Sequence, residues 1–196
     1  IKKKKIKILF SKKNLGAGPS RNLAIKKSNS YYLAFIDSDD LWEKNKLKMQ
    51  INFMQNNNYN FTYTYYKTLS EDKKIIESIK TPKEFNFKSF VKNTSIATSS
   101  MIIKRGLGIK TKFSNTKICE DYYYKCQLLK KTGYAFCYPH YLMQYQIRKN
   151  SLQSDRFRNI YWMWKINKNS NHFNIVENLI SIFSISINSL KKYGLR

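Results

Sequence analysis

Cysteine and histidine are scarce in this chain. Cys119, Cys126 and Cys137 form no Cys-x-x-Cys pair, and His140 and His172 are the two histidines. That is too few soft ligands for a Cys/His metal centre. An odd, sparse set of thiols suits a reducing compartment better than a disulfide framework. No apolar run reaches the ~18 residues a membrane span requires, and no secretory leader is recognisable. The cytoplasm is therefore the expected location. Carboxylates are scarce as well: 12 acidic residues face 37 basic ones, a formal net charge of +25. Such a surplus fits a polyanionic partner, whether nucleic acid, an anionic membrane surface or a phosphorylated substrate. It also accompanies the joint abundance of Lys, Asn, Ile, Tyr and Phe that an AT-rich coding sequence produces. A content of 42% hydrophobic and 15% aromatic residues excludes a disordered chain. At 196 residues, one domain with its own core and a short appendage is expected.

Ile6 to Phe10 is β-prone and predicts a strand, entered directly from the lysine-rich stretch after Ile1, as in a chain that begins inside a domain. Asn14 to Pro19 reads as a loop, and Ser20 as the cap of a helix running to about Ser28. Tyr31 to Ile36 is nearly all apolar, the pattern of a strand covered on both faces. Further helices are expected over 43–55, 87–91 and 118–131, the last stopped by Gly133, and strands over 61–66, 73–79, 99–103, 135–138 and 141–147. From Ser154 onward the pattern is helical, with one stripe at Phe157, Ile160, Tyr161 and Trp164 and another from Val176 to Ile187. Alternating strands and helices indicate an α/β sheet. The expected organisation is a core over 1–150 and a helical extension over 151–196.

With so few carboxylates, their positions are informative. Asp37, Asp39 and Asp40 fall within four residues at the end of the apolar strand. Clustered carboxylates repel one another unless a cation neutralises them, and strand ends of α/β sheets are where ligands bind. Oxygen donors suit Mg²⁺ or Mn²⁺, which leave coordination positions for phosphate. The competing reading is that Asp39 or Asp40 caps the following helix. Upstream, Gly16 and Gly18 permit close backbone approach, and Arg21 is placed to pair with phosphate or with a carboxylate.

Asn14-Leu15-Gly16-Ala17-Gly18-Pro19-Ser20-Arg21-Asn22-Leu23-Ala24, followed by Tyr32-Leu33-Ala34-Phe35-Ile36-Asp37-Ser38-Asp39-Asp40-Leu41-Trp42, resembles the family 2 glycosyltransferases. Glu120-Asp121-Tyr122 is similar to that family's acceptor-side acidic motif, and Tyr145 to Ser154 to its closing segment, so the likeness spans most of the chain. The tail with Trp162 and Trp164 is similar to bacterial members that build capsule, teichuronic-acid-like or lipopolysaccharide polymers. The resemblance implies a GT-A fold, a Rossmann-like mixed sheet flanked by helices, here without the family's opening strand and its base-reading loop. It implies inverting transfer from a nucleotide-diphosphate sugar, a UDP-sugar foremost, to a saccharide or lipid-linked acceptor in cell-surface polysaccharide synthesis. By the same resemblance Asp39 binds Mg²⁺ or Mn²⁺ on the diphosphate. Asp37 contacts the ribose, or the metal through water. Asp40 orients the turn or touches the sugar, and Arg21 belongs to the same nucleotide-sugar site. Asp121 is the general base, its basicity raised if burial dominates its environment; the competing reading makes it an α-helix N-terminal residue beside Glu120. Arg148 meets phosphate or acceptor, or lies on the surface. The stripe from Leu179 to Leu190, flanked by Lys191 and Lys192, either packs on its own domain or lies against an anionic membrane. Two rival functions are a sugar-nucleotide nucleotidyltransferase, whose Gly-rich opening loop is missing, and a basic RNA-binding module, which the acidic turn disfavours because it repels phosphate unless a metal intervenes.

Overall fold

The computed structural model describes residues 6–148 and 155–193. The elements are α1 (Ala17–Lys27), β1 (Tyr32–Ala34), β2 (Leu41–Trp42), α2 (Lys46–Asn56), β3 (Phe61–Leu69), β4 (Ile75–Ile79), β5 (Glu84–Asn86) and α3 (Phe87–Phe90). There follow β6 (Ile102–Lys104), α4 (Arg105–Ile109), α5 (Glu120–Thr132), β7 (Tyr134–Gln146), α6 (Arg156–Ser170) and α7 (Ile175–Tyr193). Among the described residues the strands form one sheet in the order β1-β6-β3-β7-β2, with β4 beside β3 and β5 beside β7. β3 and β7 run parallel, whereas the other pairings are antiparallel. This is the mixed sheet flanked by helices that the resemblance implies.

The strand covered on both faces is β3, where Phe61, Thr62, Tyr63 and Thr64 are all fully buried. The stretch 31–36 behaves otherwise. Leu33 and Phe35 are buried, while Ala34 and Ile36 are exposed, because β1 closes one end of the sheet and only one of its faces meets the core. Ile6 to Phe10 forms no strand: Ile6 and Phe10 are almost fully exposed, and β-propensity without a partner strand does not create one. The strands expected over 135–138 and 141–147 are one strand, β7. Its register against β3 slips where Thr64 faces Tyr138 and Tyr65 faces Tyr141, so that Pro139 and His140 bulge out. A 3₁₀ turn, Thr98–Ser100, occupies the start of the strand expected from Ser99. Helices α5 and α7 lie where expected, and the part of the closing segment over 149–154 lies outside the described residues.

An aromatic triple connects β1 to α5. Phe113 stacks on Tyr124 with ring centroids 3.7 Å apart, and Phe35 meets both edge-on at 5.6 and 6.0 Å. Pairs of this kind add about 0.5–1.5 kcal/mol to the area they bury. They fix the end of the apolar strand against the first turns of α5, which decides where the carboxylates of both segments point. Phe35→Ala should therefore cost about 3–5 kcal/mol in urea unfolding, while Ile36→Ala, on the exposed face, should change stability by less than ~0.5 kcal/mol.

Candidate active site

Helix α1 starts at Ala17, earlier than the sequence suggests. Ser20 does not cap it; the Ser20 hydroxyl donates back to the Gly16 carbonyl at 2.7 Å. Gly16 turns the chain at φ 77°, a conformation that favours glycine. Gly18 serves internal packing: a Cβ there would lie 2.4 Å from the Ser114 carbonyl oxygen and 3.1 Å from Cγ of Glu120. That close approach brings Arg21, one turn on, to the start of α5. Asn22 fixes the same contact, donating to the Phe113 carbonyl and accepting the Phe113 N–H, both at 2.9 Å.

Arg21 joins two acidic segments. One guanidinium nitrogen pairs with Asp37 at the end of the strand, and another with Glu120 at the start of α5, the latter at 2.8 Å. The Phe113 ring lies beneath, 5.3 Å from the guanidinium carbon. Burial alone would lower the guanidinium's pKa, but Asp37 above all, with Asp121 and Glu120 beyond, raises it. Burial and the neighbouring Asp121 push the Glu120 carboxyl upward, against the pull of Arg21.

The three aspartates of the turn have three separate partners, not one shared centre. Asp37 goes to Arg21. Asp39 pairs with the largely exposed Arg148 at 3.1 Å. Asp40 points into the protein and accepts the Gln146 N–H at 3.0 Å, which ties the turn to the end of β7. Burial is the main reason that the Asp40 carboxyl is pushed up to about 6. Neither Asp39 nor Asp40 caps α2, whose N-cap is Asn45. The turn rests on Ser99, a residue with no signal in the sequence. Asp37 N–H donates to the Ser99 hydroxyl at 3.0 Å, and the Trp42 indole N–H donates to the Ser99 carbonyl at 2.7 Å. Below them Lys46, fully buried, donates to Gln50 at 2.6 Å and lies 4.8 Å from the Trp42 ring centre. Burial lowers its pKa to about 7.

Asp121 sits in the first turn of α5 but makes no capping bond. Its Oδ2 accepts from Lys125 Nζ at 2.7 Å and from the Thr98 hydroxyl at 3.1 Å. Burial pushes this carboxyl up, but the Lys125 ammonium, with Arg21 and Thr98, outweighs burial and holds it down at about 2. Burial thus does not dominate the environment of Asp121, and its basicity is lowered. Lys125 is itself buried. Asp37, Thr98, Asp121, Lys125, Tyr145 and Met163 all line one cavity of about 200 Å³.

Among the described residues no three His, Cys, Asp or Glu side chains converge to hold an ion by themselves. Mg²⁺ and Mn²⁺ take one or two carboxylates and complete their shell with phosphate oxygens and water. The partly exposed Asp37 and Asp39 suit that role, since both are hard oxygen donors and the Arg148 partner of Asp39 is largely exposed. The residues fit an ion that arrives with a diphosphate better than a resident one.

The model of the family described as Glycosyl transferase family 2 matches residues 1–147. The chain is 26% identical over 189 residues to the putative teichuronic acid biosynthesis glycosyltransferase TuaG of Bacillus subtilis (strain 168), covering 96% of this chain and 75% of that one. It is 29% identical over 163 residues to WfgD of Escherichia coli, a UDP-Glc:alpha-D-GlcNAc-diphosphoundecaprenol beta-1,3-glucosyltransferase, covering 83% of this chain and 64% of the relative. Among solved structures, S. aureus TarS 1-349 in complex with UDP-GlcNAc superposes with a TM-score of 0.60 at 14% identity, over 90% of this chain and 54% of that chain. That likeness shows the shared fold. The chain thus spans about half the length of the solved structure and less than two thirds of WfgD.

The Lys125–Asp121 pair yields a stability test. Lys125→Met leaves a carboxylate in the cavity wall without its cation, and should cost about 3–5 kcal/mol in urea unfolding at pH 7. In the wild type, the contribution of a carboxyl whose pKa the fold lowers is present above its unfolded pKa and is lost as the pH falls toward 2. The variant should lack that acid-side loss, and adding Asp121→Asn to it should recover part of the stability.

Proposed function

The chain belongs to glycosyl transferase family 2, and from that membership we propose that it moves a sugar, with inversion, from a nucleotide-diphosphate sugar to a saccharide or lipid-linked acceptor in cell-surface polysaccharide synthesis. The observation that carries the reading is that Asp37 and Asp121, from distant segments, line one cavity while Arg21 joins their two segments. A UDP-sugar is the donor we favour, because WfgD is named for UDP-Glc and TarS is titled with UDP-GlcNAc. The acceptor reading leans on WfgD's diphosphoundecaprenol and on TuaG's teichuronic acid. Residues 1–150 form the catalytic core in this reading, and 151–196 an extension. We read its station as the cytoplasmic face of the membrane, in peripheral contact with anionic lipid.

Asp39, with Asp37 beside it, would hold Mg²⁺ or Mn²⁺. When bound, such an ion supplies positive charge to the diphosphate leaving group. Arg21 pairs with Asp37 and holds it toward the nucleotide side. Asp40, anchored under Gln146 N–H, orients the turn. Asp121 takes the proton of the acceptor hydroxyl as the anomeric carbon passes from the diphosphate oxygen to the acceptor oxygen. Its Oδ2 is occupied by Lys125 and Thr98, which leaves Oδ1 for the acceptor. The Lys125 ammonium lowers the basicity of this carboxylate, so it accepts the proton late, when the hydroxyl has acidified through bond formation.

Manganese with UDP should raise the thermal transition of the wild type. Asp39→Asn should abolish that shift. Asp121→Asn should keep it and slow transfer by roughly 10²–10⁴-fold. Metal-dependent pyrophosphate release from a sugar phosphate and a nucleoside triphosphate would favour a nucleotidyltransferase instead. RNA binding that survives Asp39→Asn, without any UDP shift, would favour a nucleic-acid module.

A further inference from the structure

Helix α7 is built inside out. Its polar side chains face the protein: Asn178 and Ser181 are each 1% exposed. Asn178 donates to the Trp164 carbonyl at 3.1 Å and accepts from Asn167 at 3.1 Å. Ser181 donates to the Val91 carbonyl at 2.6 Å and accepts from Asn167 at 3.0 Å. Further along, Asn188 donates to the Lys92 carbonyl at 2.9 Å. The opposite side, at helical spacing, carries Val176, Leu179, Ile180, Phe183, Ile187 and Leu190, all exposed, with Val176 at 63% and Phe183 at 68%. A helix destined for water on its outer side has the reverse arrangement. The inward hydrogen bonds leave no freedom to rotate the apolar stripe into the core, since turning it would strand buried amides and hydroxyls.

We propose that this outer face of α7 lies in the head-group layer of an anionic membrane. Charge favours lipid as the occupant. The stripe ends at the exposed Lys191, the helix's one acid, Glu177, sits in its first turn, and the chain carries a net +25. No helix among the described residues is long and apolar enough to cross a membrane, so α7 lies in the plane of the interface. The choice of a membrane over a protein partner rests on the reading of a lipid-linked acceptor; the inverted helix does not.

The test is co-sedimentation of the whole chain with vesicles of phosphatidylcholine containing phosphatidylglycerol, and with phosphatidylcholine alone. The wild type should bind the anionic vesicles and bind the neutral ones more weakly. Leu179→Gln with Phe183→Gln should lower partitioning by roughly tenfold or more, with the thermal transition and the manganese-dependent UDP shift unchanged. Phe183→Trp should blue-shift its emission when anionic vesicles are added. The inference is overturned if the wild type stays in the supernatant, if the double variant binds like the wild type, or if light scattering shows a dimer that the double variant dissociates. Vesicle binding without any UDP shift would sink the transferase reading and leave the docking face intact; a UDP shift without vesicle binding would do the opposite.

Discussion

One guanidinium holds the candidate site together. Arg21 lies between the carboxylate that ends the apolar strand and the carboxylate that starts α5. Each of those carboxylates would otherwise face the other's charge in a partly buried setting. Its position depends on Gly18, which lets α1 press on Ser114 and Glu120, and on the Phe113 ring below it. The site's electrostatics therefore follow from packing: backbone proximity first, then the cation, then the orientation of Asp37.

A second layer works from below. The turn 37–40 is held by Ser99, which accepts from its backbone and, through its own carbonyl, from Trp42. Lys46, Gln50 and Thr62 complete a buried polar floor that connects α2 to β3. On the acceptor side, Lys125 and Thr98 together fix one oxygen of Asp121. The two carboxylates that line the cavity are thus both paired with a cation and both immobilised, by different means. Arg21 restrains the first at the side chain and Ser99 at the backbone; a lysine one helical turn along α5 restrains the second.

Much of this was legible in the residue pattern. The acidic turn after an apolar run, Arg21 on a helix, and Glu120-Asp121 opening another helix all lie where the sequence puts them. The explanation for the adjacent aspartates was not legible, because each finds its counter-charge or hydrogen bond in a residue far along the chain: Arg21, Arg148 and Gln146. Lys125 and Lys46 could not be singled out among 37 basic residues; only burial distinguishes them. The strand that was expected to be covered on both faces turned out to end the sheet, since an apolar run reports burial potential and not neighbours. Ile6 to Phe10 shows the same limit: its residues suit a strand, but a strand needs a second one beside it.

The Asn22 amide supplies both hydrogen bonds that a neighbouring strand would offer to the backbone of Phe113. A side chain here does the work of secondary structure, across a gap that no sheet or helix spans. Fraying of α1 therefore also releases the loop that holds Phe113, and with it the ring on which Tyr124 stacks. Helix α1 and the approach to α5 are coupled by these two bonds although they lie far apart along the chain.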